Sequence, residues 1–366
     1  MLKKILIFYP SFENGGATKN LINIVNYLLQ KGIKVILLSH NAKKKEFNLS
    51  KNLKVINSKP LKKFFILPLR WNLALSSMIS LFLFAKSNYN DSIIFSMQSH
   101  IPAIIVAKLI KKKIIIRNSE EPIGATIYAD NKILASFILV LKFIFYNFAD
   151  KIIAISKKSE ESLNRILLFN NKIILISNPY INKVLSIKRK RNKIFSILSV
   201  GRFTHQKNLF PIINAFSNLL KKNDKIKLNI VGGGNLKMNL IDKIKNKKNI
   251  KIINWKKNLK NNFLKSDLFV LNSLYEGLPN VLLDAVNYEI PCISSNVSGA
   301  KDILINGKGG YIIPINNPYH LERKIEYVMS NYSEAQRKAK HAKSKIQKFG
   351  KINLQIFYNE FEKLTR

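Results

Sequence analysis

Four side chains in the second half of this sequence have the types and spacing to handle a phosphorylated ligand. Glu276 and Asp284, with seven residues between them, sit in SDLFVLNSLYEGLPNVLLDAVNYEIP, residues 266–291. The apolar run Leu268 to Leu271 reads as a buried strand, and the loop with Gly277 and Pro279 opens a helix at about Asn280. The first amides of a helix have no partner inside it, so Asn280, Val281 and Leu282 form an anion seat with a carboxylate on either side. Arg202 and Lys207, five positions apart in GRFTHQKN, lie in another strand-to-helix loop. Two cations beside a helix start can hold a diphosphate and stabilise the charge that builds as it leaves. The plainer reading is an ordinary β-loop-α unit whose charged side chains are solvated.

These loops need strands and helices to position them. The second half reads as strand Phe195 to Val200, loop Gly201 to Asn208, helix Leu209 to Lys221, strand Lys227 to Val231, glycines 232–234 and a helix from about Leu236 to Lys247. Strands Pro291 to Ser294 and Gly310 to Pro314 follow, then a Lys-rich helical tail from about Pro318. In the first half, residues 2–9 are a strand. Pro10 to Gly16 is a loop, and Ala17 to Gln30 carries Leu21, Ile24, Val25, Leu28 and Leu29 at helical spacing. Gly32 ends that helix before strand Lys34 to Ser39. Further strands are expected at Ser92 to Ser96, Lys113 to Arg117, Asp150 to Ser156 and Ile173 to Ser177, with a helix near Ile101 to Ile110.

Strand, loop, helix, strand is the opening of a doubly wound parallel sheet, and it occurs twice. Gly15 and Gly16 follow the first strand, where such sheets bind ligands and where missing side chains let a bound group approach the backbone. They also serve as an ordinary helix entry. The pattern breaks from Asn178 to Lys193, around Pro179 and Lys188-Arg189-Lys190-Arg191. The expected organisation is an N-terminal domain over 1–180, a linker over 181–194, a C-terminal domain over 195–345 and a last helix, 346–366, packing back on the first domain.

The 366 residues suit two domains, and 47% hydrophobic content fills two cores. The single cysteine, Cys292, excludes an internal disulfide and any cysteine-cluster metal site. MLKKILIFYP reads as a first strand rather than a signal peptide, its apolar run ending at Pro10. The formal net charge is +41, and only nine of the 62 cations are Arg. An AT-rich coding bias accounts for much of that lysine; the functional readings are an anionic membrane surface or nucleic acid. No zinc finger, RNP-like motif or basic zipper is present, so nucleic acid is not expected as a partner. Two apolar segments, Phe64 to Phe84 and Ile133 to Phe148, are interrupted by Pro68 and Arg70 or by Lys142. They are expected as buried or half-buried helices, with a membrane-surface patch as the alternative.

Gly232-Gly233-Gly234 lacks the spacing of a dinucleotide fingerprint, and no Asp-x-Asp occurs to hold a divalent metal on a diphosphate. GGATKNLINIVNYL, VGRFTHQKNL, IVGGGNL, the 266–304 segment and NGKGGYIIP, in this order, resemble the retaining glycosyltransferases of family 4, of the bacterial surface-glycan type. The resemblance implies the GT-B architecture: two facing Rossmann-like domains with an interdomain cleft. It implies that Arg202 and Lys207 bind the donor diphosphate and that Glu276 contacts the transferred sugar. Asn280, Val281 and Leu282 would meet a phosphate, Asp284 the ribose, and Gly15 and Gly16 the donor phosphates.

The implied activity is hexosyl or N-acetylhexosaminyl transfer, without cofactor or metal, from a nucleotide-sugar donor, taken as UDP-linked. The acceptor would be a lipid-linked glycan, lipopolysaccharide or capsule at the inner face of the cytoplasmic membrane. The family's usual second Glu is Asp284 here, one methylene shorter. His100, Glu120 and Glu121 are first-domain candidates left outside the catalytic set. A non-catalytic basic protein binding membrane or nucleic acid on the same scaffold, and a sugar-nucleotide epimerase, are the alternative functions.

Overall fold

The computed structural model describes residues 4–12, 15–47, 52–58, 69–88, 92–187, 189, 192–245, 247, 249–256 and 258–364. Asn14, residues 64–68 of the first apolar segment, and Lys188, Lys190 and Arg191 of the basic run lie outside them. Two compact units emerge: Met1–Ile123, Ile133–Asn182 and Lys348–Arg366 form the first, and Gly124–Lys132 with Lys183–Gln347 the second.

In the first unit the chain runs β1 (Lys4–Phe8), α1 (Gly16–Gln30), β2 (Lys34–Ser39), β3 (Leu53–Asn57), α2 (Leu69–Asn88), β4 (Ser92–Ser96), α3 (His100–Leu109) and β5 (Ile114–Arg117). It continues through α4 (Pro122–Ile127), α5 (Lys132–Tyr146), β6 (Lys151–Ala154), α6 (Lys157–Ile166) and β7 (Ile173–Leu175). All strand pairs are parallel, in the order β3-β2-β1-β4-β5-β6-β7. Central strands such as β1 and β4 are buried on both faces, as parallel strands under helices must be. Local chemistry starts the helices: Ser156 Oγ accepts the Ser159 N–H at 3.3 Å to cap α6.

The second unit runs β8 (Phe195–Arg202), α7 (Phe210–Lys222), β9 (Ile226–Gly233), α8 (Lys237–Ile244), β10 (Ile250–Asn254), α9 (Lys260–Leu264), β11 (Leu268–Leu271) and α10 (Asn280–Asn287). Then come β12 (Cys292–Ser295), α11 (Ala300–Ile303), β13 (Tyr311–Ile313), α12 (Pro318–Ser330) and α13 (Tyr332–Ser344). Its parallel sheet has the order β10-β9-β8-β11-β12-β13. The strand order reverses at β8, so the loops after β8 and β11 flank the switch point, where doubly wound sheets leave a crevice at the carboxyl ends of their strands.

The Lys-rich tail is three helices. The last, α14 (Lys351–Lys363), belongs to the first unit, with Phe357 and Phe361 in its core and the Phe361 ring centroid 5.0 Å from that of Phe95. The strands β3 and β10 and helix α6 carry too few apolar residues to stand out in the sequence.

The second apolar segment departs from the expectation of burial. Along α5 only Lys142 and Tyr146 are buried, while Ile133, Leu134, Phe137, Val140, Phe143 and Ile144 are exposed. Lys142 turns inward because it forms an ion pair with Glu120, and Tyr146 because its ring packs edge-on against His100. Helix α2 is half-buried as expected, with Leu81 and Ala85 inside and Leu83 outside.

Candidate active site in the second unit

Arg202 is the last residue of β8, and Lys207 follows in the turn that leads to α7. Glu276 lies in the loop between β11 and α10. Sixty-nine positions apart in sequence, Lys207 and Glu276 meet: the Lys207 ammonium is in direct contact with Glu276 Oε1. Their side chains are only 12% and 10% exposed, so the pair is largely withdrawn from water. Ser273 Oγ donates to the same carboxylate oxygen at 2.7 Å. An ammonium has three donors, and one spent on Glu276 leaves two for a ligand.

Arg202 is exposed, and its guanidinium donates to Gln206 Oε1 at 3.3 Å. Gln206 ties the two loops together. Its side-chain amide donates to Tyr275 O at 2.9 Å, and its carbonyl accepts the Leu274 N–H at 2.8 Å. Asn272 Nδ2 adds a bond to Asn208 O at 3.0 Å. Gln206, Asn272 and Ser273 are positioning residues that sequence reasoning passed over. The signal was a polar pair directly after an apolar strand and a Gln inside the Arg-to-Lys spacing.

Glycines set the backbone beneath these loops. Gly232 faces Gly201 across the β8–β9 pair, and a Cβ on Gly232 would stand 1.9 Å from Gly201 O and 2.7 Å from Phe203 Cε1. The Phe203 N–H donates to Gly233 O at 2.8 Å, holding the turn after β8 against that after β9. Gly299, at φ +77°, brings the β12–α11 loop against Leu278; a Cβ there would lie 2.6 Å from Leu278 Cδ1.

Helix α10 begins after Pro279, with no side-chain cap. The Leu282 N–H departs from the expected free amide: it donates to Pro279 O at 3.0 Å. A helix entered through an extended Pro closes its first bond one residue early, so Leu282 offers no donor to an anion. Among the described residues the Val281 N–H has no backbone acceptor. Leu282, Leu283, Ala285, Val286 and Asn287 form the buried face, whereas Asn280 and Asp284, one turn apart, share the half-exposed one. Asp284 also helps raise the Tyr288 phenol pKa, second to burial.

In the first unit, Gly15 precedes α1 in extended backbone, and a Cβ there would meet nothing within 4 Å. Gly16 is the first residue of α1. Three further first-unit candidates have structural partners. Glu120 pairs with Lys142, and Glu121 accepts from Ser162 Oγ and from the Ile123 N–H at 3.0 Å. His100 Nδ1 lies 2.9 Å from Ser96 Oγ. Burial, then the Lys142 and Arg117 cations, lowers the His100 pKa to about 3. A folded-state pKa below the unfolded 6.5 means that the unfolded chain binds the extra proton, so stability falls as pH drops from 6.5 towards 3. His100→Gln should remove up to a few kcal/mol of that fall. Thermal unfolding of both proteins from pH 7 to pH 4 checks this; parallel curves would contradict it.

Residues 182–345 match the model of the family "Glycosyl transferases group 1". This part of the chain, close to the whole of the second unit, is similar to that family. Two relatives extend the likeness. An uncharacterized glycosyltransferase of Methanocaldococcus jannaschii is 30% identical over 225 residues, 56% of this chain and 55% of its own length, so the chain spans about half of that relative. The GalNAc-α-(1→4)-GalNAc-α-(1→3)-diNAcBac-PP-undecaprenol α-1,4-N-acetyl-D-galactosaminyltransferase of Campylobacter jejuni is 26% identical over 95% of each chain. Among solved structures, Anabaena HepE in complex with UDP and glucose superimposes with a TM-score of 0.77 over 99% of each chain at 16% identity. The fold class is that of the GT-B glycosyltransferases, with two Rossmann-like parallel-sheet domains.

Proposed function

We propose that this protein is a retaining glycosyltransferase that moves a hexosyl or N-acetylhexosaminyl group from a UDP-sugar to a lipid-linked glycan in bacterial surface-polysaccharide assembly. The observation that carries it is the meeting of Lys207 and Glu276 at the switch point of the second sheet, one loop before the start of α10. The UDP and glucose of the Anabaena structure support the donor class. The undecaprenol-linked substrate in the name of the Campylobacter relative supports the acceptor class.

In this reading Arg202 and Lys207 hold the donor diphosphate and stabilise it as leaving group, the largest source of barrier lowering when charge builds in a site withdrawn from water. Glu276 orients the transferred sugar. The Asn280 and Val281 amides meet a phosphate, and Asp284 on the same helix face meets the ribose hydroxyls. In the first unit, Gly15 and Gly16 admit a phosphate close to the backbone. The acceptor stands at the inner face of the cytoplasmic membrane.

The test incubates the purified chain with UDP- and GDP-sugars and bacterial membranes, and follows by mass spectrometry which glycolipid gains one sugar. No gain with any donor would overturn the reading. Arg202 and Lys207 supply the charge that a divalent ion would otherwise bring, so transfer in EDTA should equal transfer with Mg²⁺. A strict need for Mg²⁺ or Mn²⁺ would exclude the metal-free form.

A further inference from the structure

Helix α5 is turned inside out relative to an ordinary surface helix: its mid-helix lysine, Lys142, faces in and an apolar stripe faces out. Ile133, Phe137, Val140 and Ile144 recur at four, three and four positions, one stripe of a helix, and Phe148 continues it just past the end. Ile133 is 86% exposed and Phe137 and Phe148 54% each, while Lys142 and Tyr146 occupy the opposite, buried face. The stripe does not stop with the helix. Asn147 Oδ1 accepts the Leu168 N–H at 3.0 Å, so the loop after α6, with Leu168 and Phe169 exposed, is held to the residue that precedes Phe148. So large a contiguous apolar surface on one unit marks a docking site.

We propose that this face is where the protein seats itself on a membrane, its side chains dipping into the anionic leaflet. Charge selects this occupant. No Asp or Glu occurs from residue 131 to 149, in a chain of net charge +41. Lys132 opens the helix, exposed, and Lys172 stands at the far end, its ammonium 2.9 Å from Asn147 O and 5.1 Å from the Phe169 ring centre. Cations bracketing an apolar stripe are what an anionic lipid surface binds, heads to phosphate and rings to the acyl boundary. The geometry also fixes the mode. Fifteen helical residues extend only about 22 Å against a hydrocarbon core of about 30 Å, so α5 lies in the interface and does not cross it. Among the described residues no helix is long and apolar enough to span.

The inference rests on the proposed lipid-linked acceptor for its purpose, and flotation tests it without donor or acceptor. The full chain is mixed with phosphatidylcholine vesicles with and without phosphatidylglycerol, beside a Phe137→Glu/Val140→Glu double variant. The wild type should float with the anionic vesicles, and the variant's bound fraction should fall about 10-fold or more at an unchanged unfolding temperature. Equal flotation of the two proteins, or no flotation of the wild type, overturns the proposal. Light scattering that shows a wild-type dimer and a monomeric variant also overturns it, assigning the face to a second copy. Because flotation uses neither donor nor acceptor and transfer is read by mass spectrometry, failure here and failure of the transferase reading are distinct results.

Discussion

Lys207→Ala is expected to lower turnover by about 10²-fold or more, with Arg202→Ala doing the same. The two substitutions differ in everything except that result. Lys207 is largely buried against Glu276, so its removal leaves a carboxylate with Ser273 as the remaining partner and costs stability as well as rate. Arg202 is exposed and bonds only weakly to Gln206, so Arg202→Ala should keep the unfolding temperature within the small range of surface changes. A rate loss in Arg202→Ala at unchanged stability isolates charge stabilisation of the leaving diphosphate from support of the loop. Single-turnover rates with the identified donor, paired with thermal unfolding, measure both. Near-normal turnover in both variants would remove the leaving-group role.

The second large effect is on folding. Gly232→Ala places a Cβ 1.9 Å from Gly201 O, and that carbonyl belongs to the β8–β9 pair that carries Arg202. Neither backbone can retreat without breaking the pair, and Phe203 behind it is fully buried. A destabilisation of about 3 kcal/mol or more follows, at the upper end of overpacking costs. Denaturant unfolding of Gly232→Ala beside Gly15→Ala provides the comparison. Gly15 is in extended backbone with open space around it, so its alanine variant should unfold like the wild type. If Gly232→Ala did so too, the close approach at 201 would not be a constraint.

How much of this was readable without coordinates differs by element. Strands β1, β2, β4, β5, β8, β9 and β11 announce themselves because buried parallel strands are short apolar runs bounded by turn residues. Strands β3 and β10, written LKVIN and IKIIN, are half polar because they lie at sheet edges, and they fade into their surroundings. Arg202, Lys207, Glu276, Asn280 and Asp284 were legible as site candidates because a doubly wound sheet puts the loops after its first and fourth strands at the same edge. The role of Leu282 was not, since a hydrogen bond from its amide to Pro279 O depends on how the loop enters the helix.

The sequence by itself determined two doubly wound sheets and the loops that bear the charged residues, because both follow from local periodicity and spacing, while the family resemblance rested on the motifs themselves. Tertiary structure decided which charges touch. Lys207 and Glu276 are brought together by the pairing of β8 with β11, and Gln206 braces the two loops once that pairing has placed them side by side. It also decided the orientation of α5. A helix apolar nearly all round carries no periodic signal for an inward face, so the choice fell to two partners far along the chain. Glu120 drew Lys142 in and His100 took the Tyr146 ring, and the apolar stripe was left facing out.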